Sequence, residues 1–319
     1  MAIEPQDQRS AVAQEKAAVL REALPWITRF HGQTIVIKYG GNAMIDDELK
    51  RSFAADVALL HFVGLRPVIV HGGGPQISQL AGRLGVSSSF VGGLRITDAP
   101  MMDVVRMALL GQVNPELVGL VQEAGAPSVG VAGTDAGLLR VRPAVGPDGE
   151  DLGLVGEVEH VDTTYLEELL DDDVLPIVAT VGRDADGIER NVNADLAAGA
   201  IAAALGASKL VYLTDVPGLY QDFGTDTQSL MSEVAVDELQ RMLDDEELHA
   251  GMRPKVRSIV GAVRGGVPQA HILDGRLLHA VLIEIFTDEG VGTMVTAGGD
   301  TLREEHATDA VASAAEVAS

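Results

Sequence analysis

The sequence predicts an α/β protein in which helices cover a mostly parallel sheet. Apolar segments rich in β-branched residues are repeatedly followed by a glycine turn and then by a helical pattern, an order typical of parallel sheets. With 319 residues, 46% of them hydrophobic, the chain can bury a substantial core in one large or two medium domains. Because composition does not shift sharply along the chain, a boundary between two domains is placed only approximately, at residues 180–182.

Two strand–turn–helix units open the predicted fold. The segments QTIVIKYGG and LRPVIVHGGGP each predict a buried strand that ends in glycines, and the segments DDELKRSFAADVALLHFVG and PQISQLAGRLG predict the helices that follow them. Pro75 suits the first turn of the second helix. A later segment, GLLRVRPAVGPDGEDLGLVGEVEHV, predicts a β-hairpin around its PDG turn.

The second half of the chain continues this alternation. Three segments, VLPIVATVG, SKLVYLTDVPG and AHILDG, predict further buried strands. The alanine-rich segment ADLAAGAIAAALGA predicts a helix, and so does the segment RPKVRSIVGAV. Both halves of the chain therefore predict strands and covering helices of the same α/β type.

The two ends differ from the body of the chain. Residues 10–31 predict an amphipathic helix kinked at Pro25, because they carry apolar side chains at helical spacing: Val12, Val19, Leu20, Ala23, Leu24, Ile27 and Phe30. This helix could pack on its own domain or dock on another subunit. The tail at residues 298–319 is small and polar, so we expect it to be poorly ordered.

Composition disfavours several classes of protein. The net charge of −24 is unfavourable for a general nucleic-acid surface, so we expect no nucleic-acid partner. For the same reason, an anionic ligand needs a local positive site. No apolar run reaches the roughly 18 residues of a membrane span, and the first 30 residues are too charged for a secretory signal, so we expect a cytoplasmic protein without membrane contact. The absence of cysteine removes disulfides, thiolate metal sites and thiol nucleophiles.

The glycine turns after the first two strands are candidate anion sites. The segment HGGGPQI has Ile77 where a dinucleotide-binding G-x-G-x-x-G motif ends in glycine, and no G-x-x-x-x-G-K-[ST] motif occurs. A standard dinucleotide fold and a Walker ATPase are therefore disfavoured. Both turns still present backbone N–H groups, and the second opens a helix whose positive end favours anions. The pair suits two phosphate or carboxylate groups.

Lysine placement agrees with an anion site. The chain has five lysines, Lys16, Lys38, Lys50, Lys209 and Lys255. Lys38 ends a predicted buried strand, and Lys255 lies just inside the start of a predicted helix, where the helix dipole disfavours a cation. Both positions are costly unless an anion binds there, although each ammonium group could instead extend to solvent.

The motif NVNAD supplies a carboxylate for these cations. Asn193 or Asp195 could simply cap the alanine-rich helix. Alternatively, Asp195 lies buried between Lys38 and Lys255, where a carboxylate would hold both ammonium groups in position and offset their mutual repulsion.

Six motifs, in this order and at these spacings, make the sequence resemble the amino acid kinase family: KYGGNAM, VHGGGPQI, GLRITD, NVNAD, LTDVPGLY and GMRPKV. The resemblance covers residues 32–297 and extends to the members that phosphorylate N-acetyl-L-glutamate. It implies a three-layer α/β/α sandwich in two lobes. Residues 32–181 would bind acetylglutamate and form a dimer, and residues 182–297 would bind ATP and arginine.

The implied reaction moves the γ-phosphoryl group of MgATP onto the side-chain carboxylate of acetylglutamate, early in arginine synthesis. Because a carboxylate is already ionised at neutral pH, its attack on phosphorus needs no general base. The reaction needs relief of charge repulsion instead, which lysines and glycine N–H groups supply. The resemblance implies that magnesium is held mainly by nucleotide phosphates and water, so no protein ligand for the metal is assigned.

The resemblance also implies roles for the matching residues. Lys38 and Lys255 would flank the transferring phosphoryl group, and Asp195 would orient both. The other implied site residues are Gly40, Gly41 and Asp215 for ATP, and Gly73, Gly74, Arg95 and Asn191 for the acceptor. The guanidinium fork of Arg95 suits the other carboxylate of acetylglutamate. One departure is the segment GTDAG, where Thr134 stands in place of an expected lysine, which leaves the role of this loop open.

The two ends resemble the arginine-inhibited branch of the family. In that branch, N-terminal helices interlace three dimers into a hexamer, a role that residues 1–31 would have here. His271, Glu284 and Gly290 match the spacing of residues associated with arginine binding, and a carboxylate is a suitable partner for a guanidinium ligand. Alternatively, Glu284 is a solvated charge on a surface strand. Binding of a PII-type signalling protein stays open.

Two other functions are weighed against this one. A kinase of carrier-protein-linked aminoadipate or glutamate acts on an analogue that differs by one methylene, but the negative net charge disfavours docking of an acidic carrier. A non-catalytic regulatory module that binds nucleotide or arginine is disfavoured because it has no reason to keep Lys38, Asp195 and Lys255.

Overall fold

The structure, a computed structural model, describes residues 6–221, 228–245, 247–248, 251–287 and 290–298. Within this part of the chain, helices cover both faces of an eight-stranded sheet, which confirms the predicted α/β/α sandwich. The predicted tail lies outside the described residues except for Gly298, and so does the side chain of Val12.

The described helices and strands alternate along most of the chain. The α-helices are α1 (Gln6–Phe30), α2 (Asp47–Phe62), α3 (Gly74–Leu84), α4 (Ala99–Ala108), α5 (Asn114–Glu123), α6 (Thr164–Asp171), α7 (Ala194–Ala204), α8 (Val236–Asp244), α9 (Arg253–Arg264) and α10 (Ala280–Phe286). The strands are β1 (Thr34–Tyr39), β2 (Arg66–His71), β3 (Phe90–Val91), β4 (Leu94–Arg95), β5 (Ser128–Ala132), β6 (Leu139–Val145), β7 (Asp151–Val161), β8 (Leu175–Ala179), β9 (Val181–Arg183), β10 (Glu189–Val192), β11 (Lys209–Thr214), β12 (Tyr220–Gln221), β13 (Ser229–Leu230), β14 (Glu233–Ala235), β15 (Gln269–Asp274) and β16 (Thr293–Thr296).

The main sheet has the strand order β14-β16-β15-β11-β1-β2-β8-β5. All neighbours from β15 to β5 are parallel, whereas β16 runs antiparallel to β15 and carries β14 beside it in parallel. The predicted hairpin is confirmed as β6 and β7, which join β9 and β10 in a small closed sheet. The central strands β11, β1 and β2 therefore end at one common edge of the main sheet.

Side-chain alternation along β1 decides which residues face each helical layer. Val36 belongs to the core formed with α7 and α9, and Lys38 follows it on the same face. Ile35, Ile37 and Tyr39 belong to the opposite core, formed with α2, α5 and α10. The register of the strand thus turns the lysine towards α7, in a layer that is otherwise apolar.

The segment VLPIVATVG forms two strands, where the sequence predicted one. The chain leaves the main sheet after β8 at Ala179, and β9 then pairs with β10 in the small closed sheet. Thr180 lies between the two strands, and its hydroxyl donates to the backbone carbonyl of His71 at 3.4 Å. The residues at this crossing are all buried, so the apolar pattern gives no sign that the strand is interrupted.

The predicted N-terminal helix is present as α1, which includes Pro25. Phe30 is buried, and Trp26 packs partly against the core on the α2 side of the sheet, so the end of this helix packs on its own domain. Leu20 and Leu24 are exposed. The packed end of the helix supports packing on its own domain. The exposed apolar side chains before that end support docking on another subunit.

Among the described residues, one helical stretch, Ala99–Glu123, is long and apolar enough to cross a membrane by length and composition. It consists of α4, a π-helical turn at Leu109–Val113, and α5. Core helices of globular proteins meet the same criterion, and Met101 and Val121 of this stretch are fully buried in the fold. The stretch is therefore only weak support for a membrane span.

Candidate active site

Two cavities meet at the carboxyl edge of the main sheet. The smaller cavity, about 250 Å³, lies between the glycine turn after β2, Arg95 on β4 and the segment that leads into α7. The larger cavity, about 790 Å³, is lined by the segment after β11 and by the start of α9. Lys38, Gly41 and Asp195 line both cavities. These three residues therefore lie where the two cavities adjoin.

The two lysines singled out by the sequence converge on one oxygen atom. The Nζ atoms of Lys38 and Lys255 lie 3.1 and 3.0 Å from Oδ1 of Asp195. The side chains of Lys38, Asp195 and Lys255 are 12%, 14% and 7% exposed, so neither ammonium group extends freely into solvent. We call these three residues the charge triad. They bring two cations to the junction of the cavities.

Local structure explains how Asp195 is left available to the lysines. The side-chain oxygen of Asn193 accepts hydrogen bonds from the backbone N–H groups of Asp195 and Leu196 at 2.9 and 3.1 Å. Asn193 is thus the N-cap of α7, which settles the alternative that the sequence left open. Asp195 lies in the first turn of the same helix, where the dipole stabilises a carboxylate.

Tyr212 and Ser258 support the triad, and the sequence reasoning missed both. The Nζ atom of Lys255 lies 4.9 Å from the ring centroid of Tyr212, a cation–π contact that also limits where the ammonium group can go. The hydroxyl of Ser258 donates to the backbone carbonyl of Asp195 at 2.5 Å, and the hydroxyl of Tyr212 donates to Ser258 at 2.7 Å. No short motif indicated this contact, because Tyr212 reaches the triad only through the pairing of β11 with β1, which places it beside Lys38.

Electrostatics keep Asp195 ionised. Burial alone would raise the pKa of Asp195, but the charges and hydrogen bonds of Lys255 and Lys38 outweigh it and hold the pKa well below its usual range. Burial lowers the pKa of Lys255 from 10.5 to about 8, with attraction to Asp195 opposing this shift and repulsion from Lys38 adding to it. Lys255 is therefore charged at neutral pH and titrates just above it.

The glycine turn after β1 leaves room for charged groups. Gly41 has a φ of +71°, and a Cβ atom there would come within 2.5 Å of the carboxylate of Asp215, so only glycine fits. A Cβ atom at Gly40 would overlap the ammonium group of Lys38. Asp215 and Lys255, which the resemblance assigned to ATP, line the larger cavity, whereas Gly40, assigned with them, lines the smaller one.

Arg95 is a buried cation in the smaller cavity. Its guanidinium group donates to Ser88, to the hydroxyl of Ser78 at 2.9 Å and to the carbonyl of Gly74 at 3.1 Å, and it lies over the ring of Phe90. Burial lowers the pKa of Arg95 from its ordinary value of 12.5. Within the described part of the chain, Arg95 forms no ion pair with an acidic side chain. Such a fixed guanidinium group suits a carboxylate from a ligand.

The other predicted acceptor residues lie in the same cavity. Gly73 and Gly74 form the turn into α3, and Asn191 lines the opposite wall, where its amide donates to the hydroxyl of Thr97 at 3.2 Å. Thr134 is absent from the described lining of both cavities.

A metal ion would have few protein ligands here. No group of three or more His, Asp or Glu side chains placed to hold a metal occurs among the residues that the structure describes. Mg²⁺ bound to a nucleotide usually takes one or two carboxylates and otherwise phosphates and waters. The larger cavity has the carboxylate of Asp215 on its wall, so the residues fit a magnesium ion carried in by nucleotide phosphates.

The predicted arginine-binding residues also come together, on the other face of the sheet. The Nδ1 atom of His271 lies 2.6 Å from Oε1 of Glu284, and Oε2 of Glu284 accepts from the backbone N–H of Val291, next to Gly290. Burial lowers the pKa of His271, and Lys209 adds to the shift. Despite burial, hydrogen bonding to His271 helps hold the pKa of Glu284 below its ordinary value.

Two features of this cluster differ from the sequence interpretation. Glu284 lies on helix α10 with its side chain only 6% exposed, so the alternative of a solvated charge on a surface strand is wrong. Lys209, which the sequence reasoning left without a role, places its Nζ atom 3.2 Å from Nε2 of His271 and 5.0 Å from the ring centroid of Phe30. Burial lowers the pKa of Lys209 to about 8. The cluster thus reaches from α10 to the end of α1.

A layered α/β fold with two lysines bridged by a carboxylate between two cavities is suited to phosphoryl transfer between two anionic ligands. The sequence profile of the amino acid kinase family matches residues 33–274. The chain therefore belongs to the amino acid kinase family, and it is an enzyme of the kinase class.

Individual relatives narrow the comparison. The acetylglutamate kinase of Saccharopolyspora erythraea is 54% identical, with 92% of this chain and 97% of the relative covered. The acetylglutamate kinase of Salinispora tropica is 55% identical over 90% of this chain and 97% of its own. Among solved structures, the N-acetylglutamate synthase of Neisseria gonorrhoeae complexed with coenzyme A and L-arginine is 28% identical, with a TM-score of 0.74 over 89% of this chain and 66% of the synthase.

Proposed function

We propose that this enzyme transfers the γ-phosphoryl group of MgATP to the side-chain carboxylate of N-acetyl-L-glutamate, a step of arginine biosynthesis. The observation that carries the proposal is the charge triad, Lys38, Asp195 and Lys255, at the junction of the two cavities. The substrate comes from the relatives, since acetylglutamate kinases are 54–55% identical to this chain over at least 90% of its length.

The acceptor fits the smaller cavity. Arg95 offers its guanidinium group to the α-carboxylate, and Asn191 is an amide suited to the acetylamino group or to a carboxylate. With the α-carboxylate held there, the side-chain carboxylate can extend towards Lys38 at the junction. The N-terminal lobe, residues 32–181, supplies Arg95 and the glycine turns, which supports its assignment as the acceptor lobe.

The nucleotide fits the larger cavity, lined mainly by the C-terminal lobe at residues 182–297. A carboxylate oxygen of the acceptor forms the new bond to phosphorus, and the bond from phosphorus to the β–γ bridging oxygen breaks, which releases ADP. Bound magnesium neutralises part of the phosphate charge. Lys38 and Lys255 stabilise the negative charge on the transferring group, and Asp195 keeps their ammonium groups fixed without becoming protonated.

A trapping assay tests this proposal. Acyl phosphate formed from ATP is captured as hydroxamate with N-acetylglutamate, glutamate, aspartate or aminoadipate as acceptor. We expect acetylglutamate to react at least about 100-fold faster than the others, because a site with buried polar groups rejects analogues that leave them unpaired. Transfer to none of them by a protein that still binds ATP would contradict the proposal and favour the regulatory or carrier-linked alternative.

The pH dependence of the reaction should report Lys255. Because the pKa of Lys255 in the free enzyme is about 8, we expect kcat/KM to fall as the pH rises through 8, as the ammonium group loses its proton. Bound phosphates favour the charged form, so the corresponding fall in kcat should lie at higher pH. In Lys255→Arg the alkaline fall should disappear, since guanidinium stays charged. An unchanged alkaline limb in that variant would assign the titration to another group.

We further propose that L-arginine inhibits the enzyme by binding at the cluster of Lys209, His271 and Glu284. This cluster contains a buried ammonium group, also bonded to Gln269 at 2.6 Å, and a buried carboxylate, the two groups that suit the carboxylate and the guanidinium group of arginine. The solved synthase complexed with L-arginine supports the proposal. The exposed apolar residues of α1, including Leu20, support docking of this helix on another copy and a hexameric assembly.

Replacing Glu284 tests arginine inhibition. We expect Glu284→Gln to raise the arginine concentration for half-inhibition about 10-fold or more while kcat without arginine stays near the wild-type value, because a charge-assisted hydrogen bond to the guanidinium group is lost. Glu123→Gln, a change at an exposed acidic residue, is the matched control and should leave inhibition unchanged. If removal of residues 1–31 left a hexamer with full arginine sensitivity, the role of α1 would be disproved.

A further inference from the structure

The glycine turn of the smaller cavity is held from behind by a buried histidine. His71, the last residue of β2, is fully buried, and its Nδ1 atom lies 2.8 Å from the backbone carbonyl oxygen of Gly72. Its Nε2 atom lies 3.0 Å from the amide nitrogen of Asn114, the first residue of α5. The ring therefore links the glycine turn to a helix on the opposite side of the sheet from the charge triad.

The partners of His71 define its protonation. The side-chain nitrogen of Asn114 is only a donor, and it also donates to the backbone carbonyl of Ile177 at 2.8 Å. Nε2 of His71 must therefore accept, and Nδ1 must carry the proton that is donated to Gly72. Burial lowers the pKa of His71 to about 4, so this neutral form persists across the neutral range.

The contact with His71 fixes the direction of the next backbone N–H. All described peptide bonds are trans, so the carbonyl of Gly72 and the N–H of Gly73 point in opposite directions from one peptide plane. Because His71 draws the carbonyl towards the α5 side, the N–H of Gly73 points towards the α7 side. Asp195 and the segment that leads into α7 lie on that side and line the smaller cavity.

Gly130 of β5 makes room for the side chain of Asn114. A Cβ atom at Gly130 of β5 would overlap the side-chain oxygen of Asn114, so the absence of a side chain there allows Asn114 to occupy its position. The π-helical turn Leu109–Val113 ends directly before Asn114, and π-helical turns are frequent at functional sites. Leu109 of this turn also lies against Gly73.

We propose that His71 and Asn114 are positioning residues that aim the backbone N–H of Gly73 at the transferring phosphoryl group. Neither residue touches a reacting atom. His71 acts through the carbonyl of Gly72, and Asn114 acts by fixing the ring of His71. The inference rests on the proposed phosphoryl transfer and adds residues that act on it from outside the two cavities.

Two variants of similar size separate positioning from packing. In His71→Asn the side-chain nitrogen takes the place of Nδ1 and can still donate to Gly72. In His71→Gln the amide takes the place of Nε2 and leaves Gly72 without its donor. We expect kcat to stay within about 3-fold of wild type in His71→Asn and to fall about 100-fold in His71→Gln, the scale for loss of one preorganised donor. KM for ATP and the thermal midpoint should agree between the two variants.

A binding measurement accompanies the kinetics. ADP with aluminium fluoride and acetylglutamate mimics the transferring group, and its affinity should fall in His71→Gln by about the same factor as kcat, while affinity for ADP alone stays unchanged. Asn114→Ala is the second variant and decides the question if His71→Gln does not fold. We expect about a 10-fold lower kcat with unchanged KM for ATP, since the ring loses one restraint.

Equal kcat values in His71→Asn and His71→Gln, or losses that follow the thermal midpoint in all three variants, would overturn the inference. Wild-type enzyme in the same assay reports separately on the proposed function. If it phosphorylates a different carboxylate acceptor, the assigned substrate is wrong and the variants are compared with that acceptor. If the wild-type enzyme transfers phosphate to no carboxylate acceptor, the proposed function is wrong, and so is the inference that rests on it.

Discussion

We expect Lys38→Ala to lower kcat for acetylglutamate phosphorylation by about 100-fold or more, since it removes a preorganised charge from the transition state. Lys38 is the lysine that lines both cavities, so its ammonium group can contact nucleotide and acceptor together. The side chain is held at 3.1 Å from Asp195 and is largely buried, so water cannot fully replace its charge. Steady-state rates of hydroxamate formation measure the effect.

Lys50→Ala is the matched control for that variant. Lys50 is also a largely buried lysine with acidic partners, at 3.2 Å from Asp47 and 2.7 Å from Glu116, but it lines neither of the two cavities. Its replacement should leave kcat near the wild-type value. If Lys38→Ala retained more than about a tenth of the wild-type kcat, Lys38 would not supply the main transition-state charge.

The position of Lys38 could be predicted because local signals agreed. A run of β-branched residues predicted the buried strand, the two glycines predicted its end, and a lysine at that point required an anionic partner. For Asp195 the residues left two alternatives, a helix cap or a carboxylate between the two lysines, and the resemblance of the motif NVNAD to the kinase family implied the second. Distances of 3.0–3.1 Å confirm that Asp195 is a neighbour of Lys38 and of Lys255.

The supporting contacts could not be predicted, because they depend on strand order and register. Tyr212 meets Lys255 only because α9 packs on the face of β11 that carries Tyr212. Lys209 meets His271 only because β11 pairs with β15. Strand order is set by crossovers through the whole chain, which no short motif encodes. The burial of Glu284 was missed for a related reason, since a short helix of seven residues carries little periodicity.

The two faces of β11 connect the proposed functions. Lys209 lies on the face that carries the proposed arginine cluster, whereas Tyr212, three residues later, lies on the face of the charge triad. The same strand leads into Asp215 in the larger cavity. A shift of β11 caused by a ligand at Lys209 would therefore move residues that position Lys255, which is the route we propose for the inhibition by arginine.

Removal of the shared carboxylate should have the second large effect. We expect Asp195→Asn to lower kcat by about 100-fold or more, because two neighbouring ammonium groups then repel each other without a compensating charge and lose their fixed positions. The pKa of Lys255 should fall below 8, since attraction to Asp195 opposes burial in the wild type and repulsion from Lys38 remains. The alkaline limb of kcat/KM should therefore move to lower pH.

Asp184→Asn distinguishes this effect from a general loss of stability. Asp184 directly follows β9 and pairs with Arg190 of β10 at 2.7 Å, and it lines neither of the two cavities. Breaking either pair should lower the free energy of unfolding, measured by denaturant titration. Only Asp195→Asn should also lower kcat and shift the pH profile. A variant of Asp195 that lost stability but kept its kcat and its alkaline limb would show that the carboxylate holds the fold together and does not orient the two lysines for phosphoryl transfer.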